Sequence, residues 1–334
     1  MNKVSSSPLI SVKNLSISFI KKTDIVKVVN NISFDLLENE VLGIVGESGS
    51  GKSVTALSIL KLLPSKKTIS KGEVIYNSTN LLELNEARIR QVRRRDISII
   101  FQEPMSALNP TMKCVDQLRE CFEIENVKVK DIENEISLLI KKVKLEKIEN
   151  FNYKYPHELS GGQKQRLMIA MAIACKPKLL IADEPTTALD VTIQAQILEL
   201  LIELQKSRGM ALVLITHDMA VVAETAERVV VLYAGQQVEQ RTVKQLFKKP
   251  KHPYSEALLN ALPERANDKL LNAIPGVVPG QMDRPQGCLF SPRCDYATTL
   301  CREKSPNLND GILCHFPLGD EKKKTEKSIK LEPQ

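Results

Sequence analysis

The sequence predicts an α/β fold built on a mainly parallel sheet, and three observations predict it. Short apolar runs bounded by polar residues alternate with stretches of helical periodicity. One long internal segment is mostly helical in pattern, and beyond about Pro250 prolines recur through a loop-rich stretch. Strands covered by helices on both faces lose the polar–apolar alternation of half-exposed strands, so continuous apolar runs point to parallel pairing.

Taken in order, Val41–Val45 is the first buried-type strand, and Val54, Leu57, Leu60 and Leu63 follow it at helical spacing. Ile97–Phe101, Leu179–Ala182 and Ala211–Thr216 are further strands of the same kind. Between Pro104 and roughly Ala174 the helical pattern, as in Asp131–Leu145, reads as a helical subdomain inserted into the α/β core. Val229–Tyr233 and Gln236–Gln240, joined through Ala-Gly, read as a hairpin. Pro253, Pro263, Pro275, Pro279, Pro285, Pro292, Pro306 and Pro317 mark an extension with little regular structure. The expected division is a main domain over 1–250 with its helical part at 104–174, an extension over 251–318, and a charged, disordered tail over 319–334.

The 334 residues are 43% hydrophobic and 26% charged, an ordinary soluble composition. Apolar runs such as Val229–Tyr233 fall far short of the roughly 20 residues that span a bilayer. The start MNKVSSSPLISVKNL has no sustained apolar segment, so no secretory signal is expected and the thiols are expected to stay reduced in the cytosol. The net charge of +7 comes from scattered Lys and Arg, and no nucleic-acid partner is expected from it.

Gly46–Ser53 reads GESGSGKS and fits G-x-x-x-x-G-K-[ST] between a strand and a helix. Such a loop curls so that successive N–H groups face phosphate oxygens, and the following helix adds the positive end of its dipole. The nucleotide-contacting candidates are Gly46, Glu47, Ser48, Gly49, Ser50, Gly51, Lys52 and Ser53, with Thr55 in the helix. Lys52 is placed to reach the β- and γ-phosphates and Ser53 to ligate Mg²⁺.

Leu179–Glu184 reads LLIADE, an apolar strand ending in two carboxylates. At a strand end both acids can turn toward the crevice where ligands bind in α/β sheets. Asp183, which ends the apolar run, is the expected Mg²⁺ partner, and Glu184 the residue that polarises an attacking water.

Leu159–Gln163 reads LSGGQ, about twenty residues before the acidic pair. Ser160 with Gly161 and Gly162 at a helix start makes a second anion-binding terminus in a chain that already has one phosphate cradle. At these residues the chain resembles the ATP-binding cassette family, whose signature is LSGGQ. The resemblance implies a P-loop ATPase with a parallel core, an N-terminal antiparallel β part and an inserted helical subdomain. It implies that Leu159, Ser160, Gly161, Gly162 and Gln163 face the γ-phosphate held by the opposite subunit of a head-to-tail dimer. It assigns Gln102 to Mg²⁺ and the attacking water, Ala188–Asp190 to the segment crossing the dimer interface, His217 to the γ-phosphate, and Phe19 to stacking on adenine. ATP and Mg²⁺ are the implied cofactors.

Two functional classes compete, a transporter subunit and a soluble ATPase acting on DNA or the ribosome. One unbroken cassette without a heptad run favours the transporter. FQEPMSALNP (Phe101–Pro110), YPHELSGG (Tyr155–Gly162) and HPYSEALLNALP (His252–Pro263) narrow the resemblance to the oligopeptide, dipeptide and nickel importer ATPases. That group implies two membrane permease subunits, an extracellular or periplasmic binding protein, a homologous second ATPase in a heterodimer, and a place on the cytoplasmic face of the membrane. Peptides are the expected substrate, with nickel or another chelated metal the alternative.

Cys288, Cys294, Cys301 and Cys314 are spaced C-x5-C-x6-C-x12-C, without the tight knuckles of structural zinc sites. Wide loops suit four thiolates around a bulkier group, and the importer resemblance implies the same. A [4Fe–4S] cluster is the expectation, with zinc or packed thiols as alternatives. His315 is a possible substitute ligand. Cys114, Cys121 and Cys175 lie in apolar helical surroundings and read as small core residues.

Overall fold

Alternate residues of the central strands bury into different cores. On the strand Ala211–Thr216, Ala211, Val213 and Ile215 join one apolar cluster while Leu212 and Leu214 join another, the period-two consequence of an extended backbone. The computed structural model describes residues 7–21, 24–103, 107–123, 131–187, 189–265 and 273–319. Pro104 at the expected start of the helical insertion, Ala188 of the expected interface segment, and the tail 320–334 lie outside them.

Near the N-terminus, β1 (Ile10–Lys21), β2 (Asp24–Leu36), β4 (Thr68–Tyr76) and β5 (Thr79–Asn80) form an antiparallel sheet in the order β2-β1-β4-β5. The main sheet holds β3 (Val41–Val45), β6 (Ile97–Ile100), β7 (Leu179–Asp183), β8 (Ala211–Thr216) and β9 (Arg228–Tyr233). They pair in parallel in the order β9-β3-β8-β7-β6. β10 (Gln236–Thr242) closes the expected hairpin antiparallel to β9. The fold is thus an α/β cassette with an antiparallel N-terminal part.

Leu42, Ile44, Ile181 and Val213 pack against Ile17, Val29, Ile32 and Ile59, joining the two sheets through the helix Lys52–Ile59. On the opposite face Leu180, Ala182, Leu212 and Leu214 pack against Leu167, Ile173, Ile197 and Leu201. The helical insertion, with Cys114–Glu123 and Ile132–Lys142, continues that core through Leu118, Phe122, Ile136 and Leu139. Cys114 is fully buried there, and burial pushes its thiol up to about 11.

Two helix boundaries differ from the periodic pattern. The first helix stops at Ile59, because Lys61 turns to a φ of 50°, yet Leu62 and Leu63 still pack on the core from the turn. Asp131 is a cap rather than a helical residue, its carboxylate accepting from Asn134 N at 3.0 Å, and the helix closes at Lys142.

The C-terminal region carries more regular structure than its prolines suggest. The helix Pro253–Asn260 is capped by His252, whose Nδ1 accepts from Tyr254 N at 3.0 Å. Beyond it, β11 (Leu308–Asn309) and β12 (Ile312–Leu313) extend the main sheet antiparallel from β10. Glu239 of β10, fully buried, accepts from Lys251 N and His252 N at 2.9 and 2.8 Å and fixes where the extension leaves the sheet.

Candidate functional site

The phosphate loop leaves β3 and enters the helix Lys52–Ile59 through a turn that needs glycine at its first residue. A Cβ on Gly46 would stand 2.2 Å from Leu232 O, and the residue has a φ of 156°. Lys52 Nζ donates to Gly46 O at 2.8 Å and lies 3.4 Å from Glu184 Oε1. Thr55 Oγ1 donates to Gly51 O at 2.8 Å and ties the first helical turn to the loop.

The strand ends bring the acids to the loop. Ser53 Oγ donates to Asp183 Oδ1 at 3.0 Å. Burial raises the Asp183 carboxyl above the usual carboxylate range, against the pull of the Ser53 hydrogen bond. Next to it Glu184 takes a left-handed φ of 45°, a conformation costing roughly 1–3 kcal/mol in a non-glycine residue. Its backbone N donates to Ile215 O at 2.9 Å and so docks on the neighbouring strand. Its Oε2 accepts from Gln102 Nε2 at 3.0 Å and Thr187 Oγ1 at 3.1 Å, and lies 3.8 Å from His217 Nδ1.

A cavity of about 660 Å³ opens here, lined by Gly46–Val54, Gln102, Glu184 and His217, with Val28 on the apolar side. Phe19, on β1, is not among the lining residues. The oxygens of Ser53, Asp183 and Gln102 are hard donors of the kind Mg²⁺ takes. A dication beside the buried Asp183 would offset, by charge attraction, the burial that raises its pKa, so the residues fit that ion. The arrangement can hold a polyphosphate on the loop and present a carboxylate to a water beside it.

The LSGGQ residues lie elsewhere. Ser160 and Gln163 form a capping box for the helix Gly161–Ile173, with Ser160 N donating to Gln163 Oε1 at 2.9 Å. A Cβ on Gly162 would meet Ile193 at 2.7 Å, so glycine lets the following helix approach. Ser160, Gly162 and Gln163 line a separate groove with Lys144, Lys147 and Arg166 that shares no residue with the loop cavity. Leu159 is buried in the core, and Asp190 precedes the helix Val191–Arg208 with an exposed side chain.

The expectation of an iron–sulfur cluster on Cys288, Cys294, Cys301 and Cys314 is overturned. Among the described residues no group of three or more His, Cys, Asp or Glu side chains could hold a metal ion. The four cysteines do line one cavity, but it measures about 20 Å³, water-sized and far too small for a cube of iron and sulfide. Cys288 and Cys294 instead pack on the cluster of Tyr233, Tyr254 and Phe290. Burial pushes the Cys288 thiol up and the Cys294 thiol up to about 12, which keeps both protonated. The same geometry removes the zinc alternative and leaves His315 no ligand role, its Nε2 meeting Lys304 O at 2.8 Å.

Sequence reasoning missed the part the extension plays at the cavity. Leu258, Ala261 and Ile274 line it, and Arg293 and Tyr254 reach Glu47 of the loop. Contacts between residues more than 200 positions apart leave no periodicity or motif to read.

A family model described as "ABC transporter" matches residues 29–187, and one described as "Oligopeptide/dipeptide transporter, C-terminal region" matches 238–301. The dipeptide transport ATP-binding protein DppD of Haemophilus influenzae is 50% identical over 319 residues, 94% of this chain and 97% of that protein. The chain belongs to the ABC transporter family. The oligopeptide transport ATP-binding protein OppD of the same organism is 44% identical over 95% of this ABC ATPase and 99% of its own length. Among solved structures, the dimeric ATP-binding cassette MJ0796 bound to ADP and Pi aligns with a TM-score of 0.62 at 27% identity, over 70% of this chain and 98% of that one. The expected heterodimer is not supported. The family model and the relatives name an ABC transporter and an ATP-binding protein without a second cassette, and the aligned cassette is itself described as dimeric. That expectation is withdrawn, because nothing in these matches calls for two different cassettes.

Proposed function

We propose that this ABC ATPase energises import of dipeptides or oligopeptides across the cytoplasmic membrane. The convergence of Ser53, Glu184, Gln102 and His217 on one cavity at the phosphate loop, with Asp183 hydrogen-bonded to Ser53, carries the ATPase part. The peptide-transport names of the relatives and the C-terminal family match support the substrate class. No helix among the described residues is long and apolar enough to cross a membrane. On this reading the chain acts as a peripheral subunit at the cytoplasmic face, docked on two membrane permease subunits and served indirectly by an extracellular or periplasmic binding protein.

Each residue takes one task. Gly46–Ser53 cradle the phosphates and Lys52 moves from its carbonyl partners to the β- and γ-oxygens. Ser53, Asp183 and Gln102 hold Mg²⁺, which when bound neutralises charge on the phosphates. Glu184 accepts the proton of the attacking water, Gln102 and Thr187 orient its carboxylate, and His217 contacts the γ-phosphate. Phe19 or the lining residue Val28 meets the adenine. The groove at Leu159–Gln163, with Asp190, completes the site of a second cassette across a dimer, since it shares no wall with the chain's own cavity. The cassette spans 1–250, with the helical part at 104–174, and the extension runs over 251–318.

Uptake of labelled dipeptide by cells lacking this subunit, complemented with the wild-type or Lys52→Ala chain, tests the proposal. Restoration by wild type alone is expected. Restored uptake of a nickel chelate without restored peptide uptake would reject the peptide assignment.

A further inference from the structure

The phosphate loop and the C-terminal extension meet at Glu47, the second residue of GESGSGKS. Arg293 Nη1 donates to Glu47 Oε2 at 2.8 Å and Nη2 to Oε1 at 3.0 Å, a two-pronged pair. The Arg293 side chain is 4% exposed, and its Nε donates to Pro275 O at 2.7 Å. From the other side, Glu47 N donates to Tyr254 Oη at 2.9 Å. Tyr254 is itself fully buried, with its ring 4.6 Å from that of Tyr233 and 5.3 Å from that of Phe290. Backbone and side chain of one loop residue are therefore both gripped by the extension, from a well-packed aromatic core.

Electrostatics gives the grip a consequence. A lone carboxylate on a loop that binds phosphates repels them, and the repulsion grows where water is excluded. The Arg293 pair cancels that charge and turns the carboxylate away into a fixed geometry. Tyr254 meanwhile holds the Glu47 amide, inside the run of amides that curls around the phosphates. Leu258, Ala261 and Ile274, from the same extension, wall the cavity.

We propose that the extension is a working part of the nucleotide site, with Arg293 and Tyr254 as positioning residues that fix Glu47 and cancel its charge. Affinity for Mg²⁺-nucleotide then depends on residues more than 200 positions from the loop. The proposal rests on the nucleotide-site assignment above.

Binding of ADP with Mg²⁺ to the full chain, measured by calorimetry beside each variant's melting temperature, provides the test. Arg293→Met is expected to weaken ADP by about tenfold, a coupling within the range found for contacting groups. Adding Glu47→Gln to it should recover most of that loss, because the unpaired charge is gone. Tyr254→Phe keeps the packing and should weaken ADP by roughly threefold, one neutral hydrogen bond; it serves as the readout if Arg293→Met does not fold. A lowered melting temperature with ADP affinity within twofold of wild type in both single variants would make the contact merely structural and overturn the proposal. So would a double variant no tighter than Arg293→Met. Lys52→Ala separates the two levels: if it binds ADP like wild type, the nucleotide-site assignment itself falls.

Discussion

Ser53 Oγ donates to Asp183 Oδ1 at 3.0 Å, joining the first turn after the phosphate loop to the end of β7. β3 and β7 are not neighbours, since β8 runs between them, so the bond spans the sheet where ligands bind in α/β folds. If these two oxygens share Mg²⁺, then Asp183→Asn should cut the advantage that Mg²⁺ gives to ADP binding by at least about tenfold, a step of roughly 1.4 kcal/mol. ADP titrations with and without Mg²⁺ check this, and an unchanged ratio would contradict it.

Gln102 holds Glu184 Oε2 at 3.0 Å from outside the loop. Gln102→Ala leaves the phosphate cradle intact and frees the carboxylate to wander. Turnover should fall roughly tenfold to a hundredfold while ATP affinity measured without Mg²⁺ changes by less than about threefold, because misplacing a reacting group costs rate more than binding. Steady-state ATPase assays on the assembled transporter separate the two quantities.

Gly46→Ala brings a methyl to 2.2 Å from Leu232 O on the neighbouring strand. Either the loop or β9 must shift, at a cost of at least about 1 kcal/mol. The variant should melt at least about 2 °C lower and lose nucleotide binding, as calorimetry would show.

His252 is fully buried, and burial drives its pKa from 6.5 down to about 3, with a hydrogen bond to the Leu313 carbonyl acting weakly the other way. Its Nδ1 accepts from Tyr254 N, so a proton there would also break the helix cap. The unfolded chain takes up a proton as pH falls through about 6.5 while the folded chain does not. Its stabilising contribution is whole above about pH 6.5 and is lost progressively toward pH 3, by roughly 2 kcal/mol at pH 5. Urea unfolding at pH 7 and pH 5 should show a smaller drop for His252→Gln than for wild type. Equal drops would exclude His252 as the source.

Much of the fold was legible because buried parallel strands write continuous apolar runs. Val41–Val45 and Ala211–Thr216 match to the residue. The acidic pair and the loop were legible because their chemistry fixes a local spacing. Helix ends such as Ile59 were not, since apolar periodicity continues through Leu63 while the backbone turns at Lys61. Cysteine spacing misled for a related reason. Four thiols in one segment look alike in sequence whether they converge on a metal or whether two of them, Cys288 and Cys294, pack on Tyr233, Tyr254 and Phe290, and only the water-sized cavity decides. The Glu47–Arg293 pair was beyond any local pattern.

The central claim is that Glu184 performs hydrolysis in a site that this chain's own loop forms. The most direct measurement is ATP binding and turnover by the assembled transporter carrying Glu184→Gln in every copy of this chain. ATP should bind within a few-fold of wild type while turnover falls at least about a hundredfold, the scale of a lost general base. Turnover at the wild-type rate would contradict the assignment.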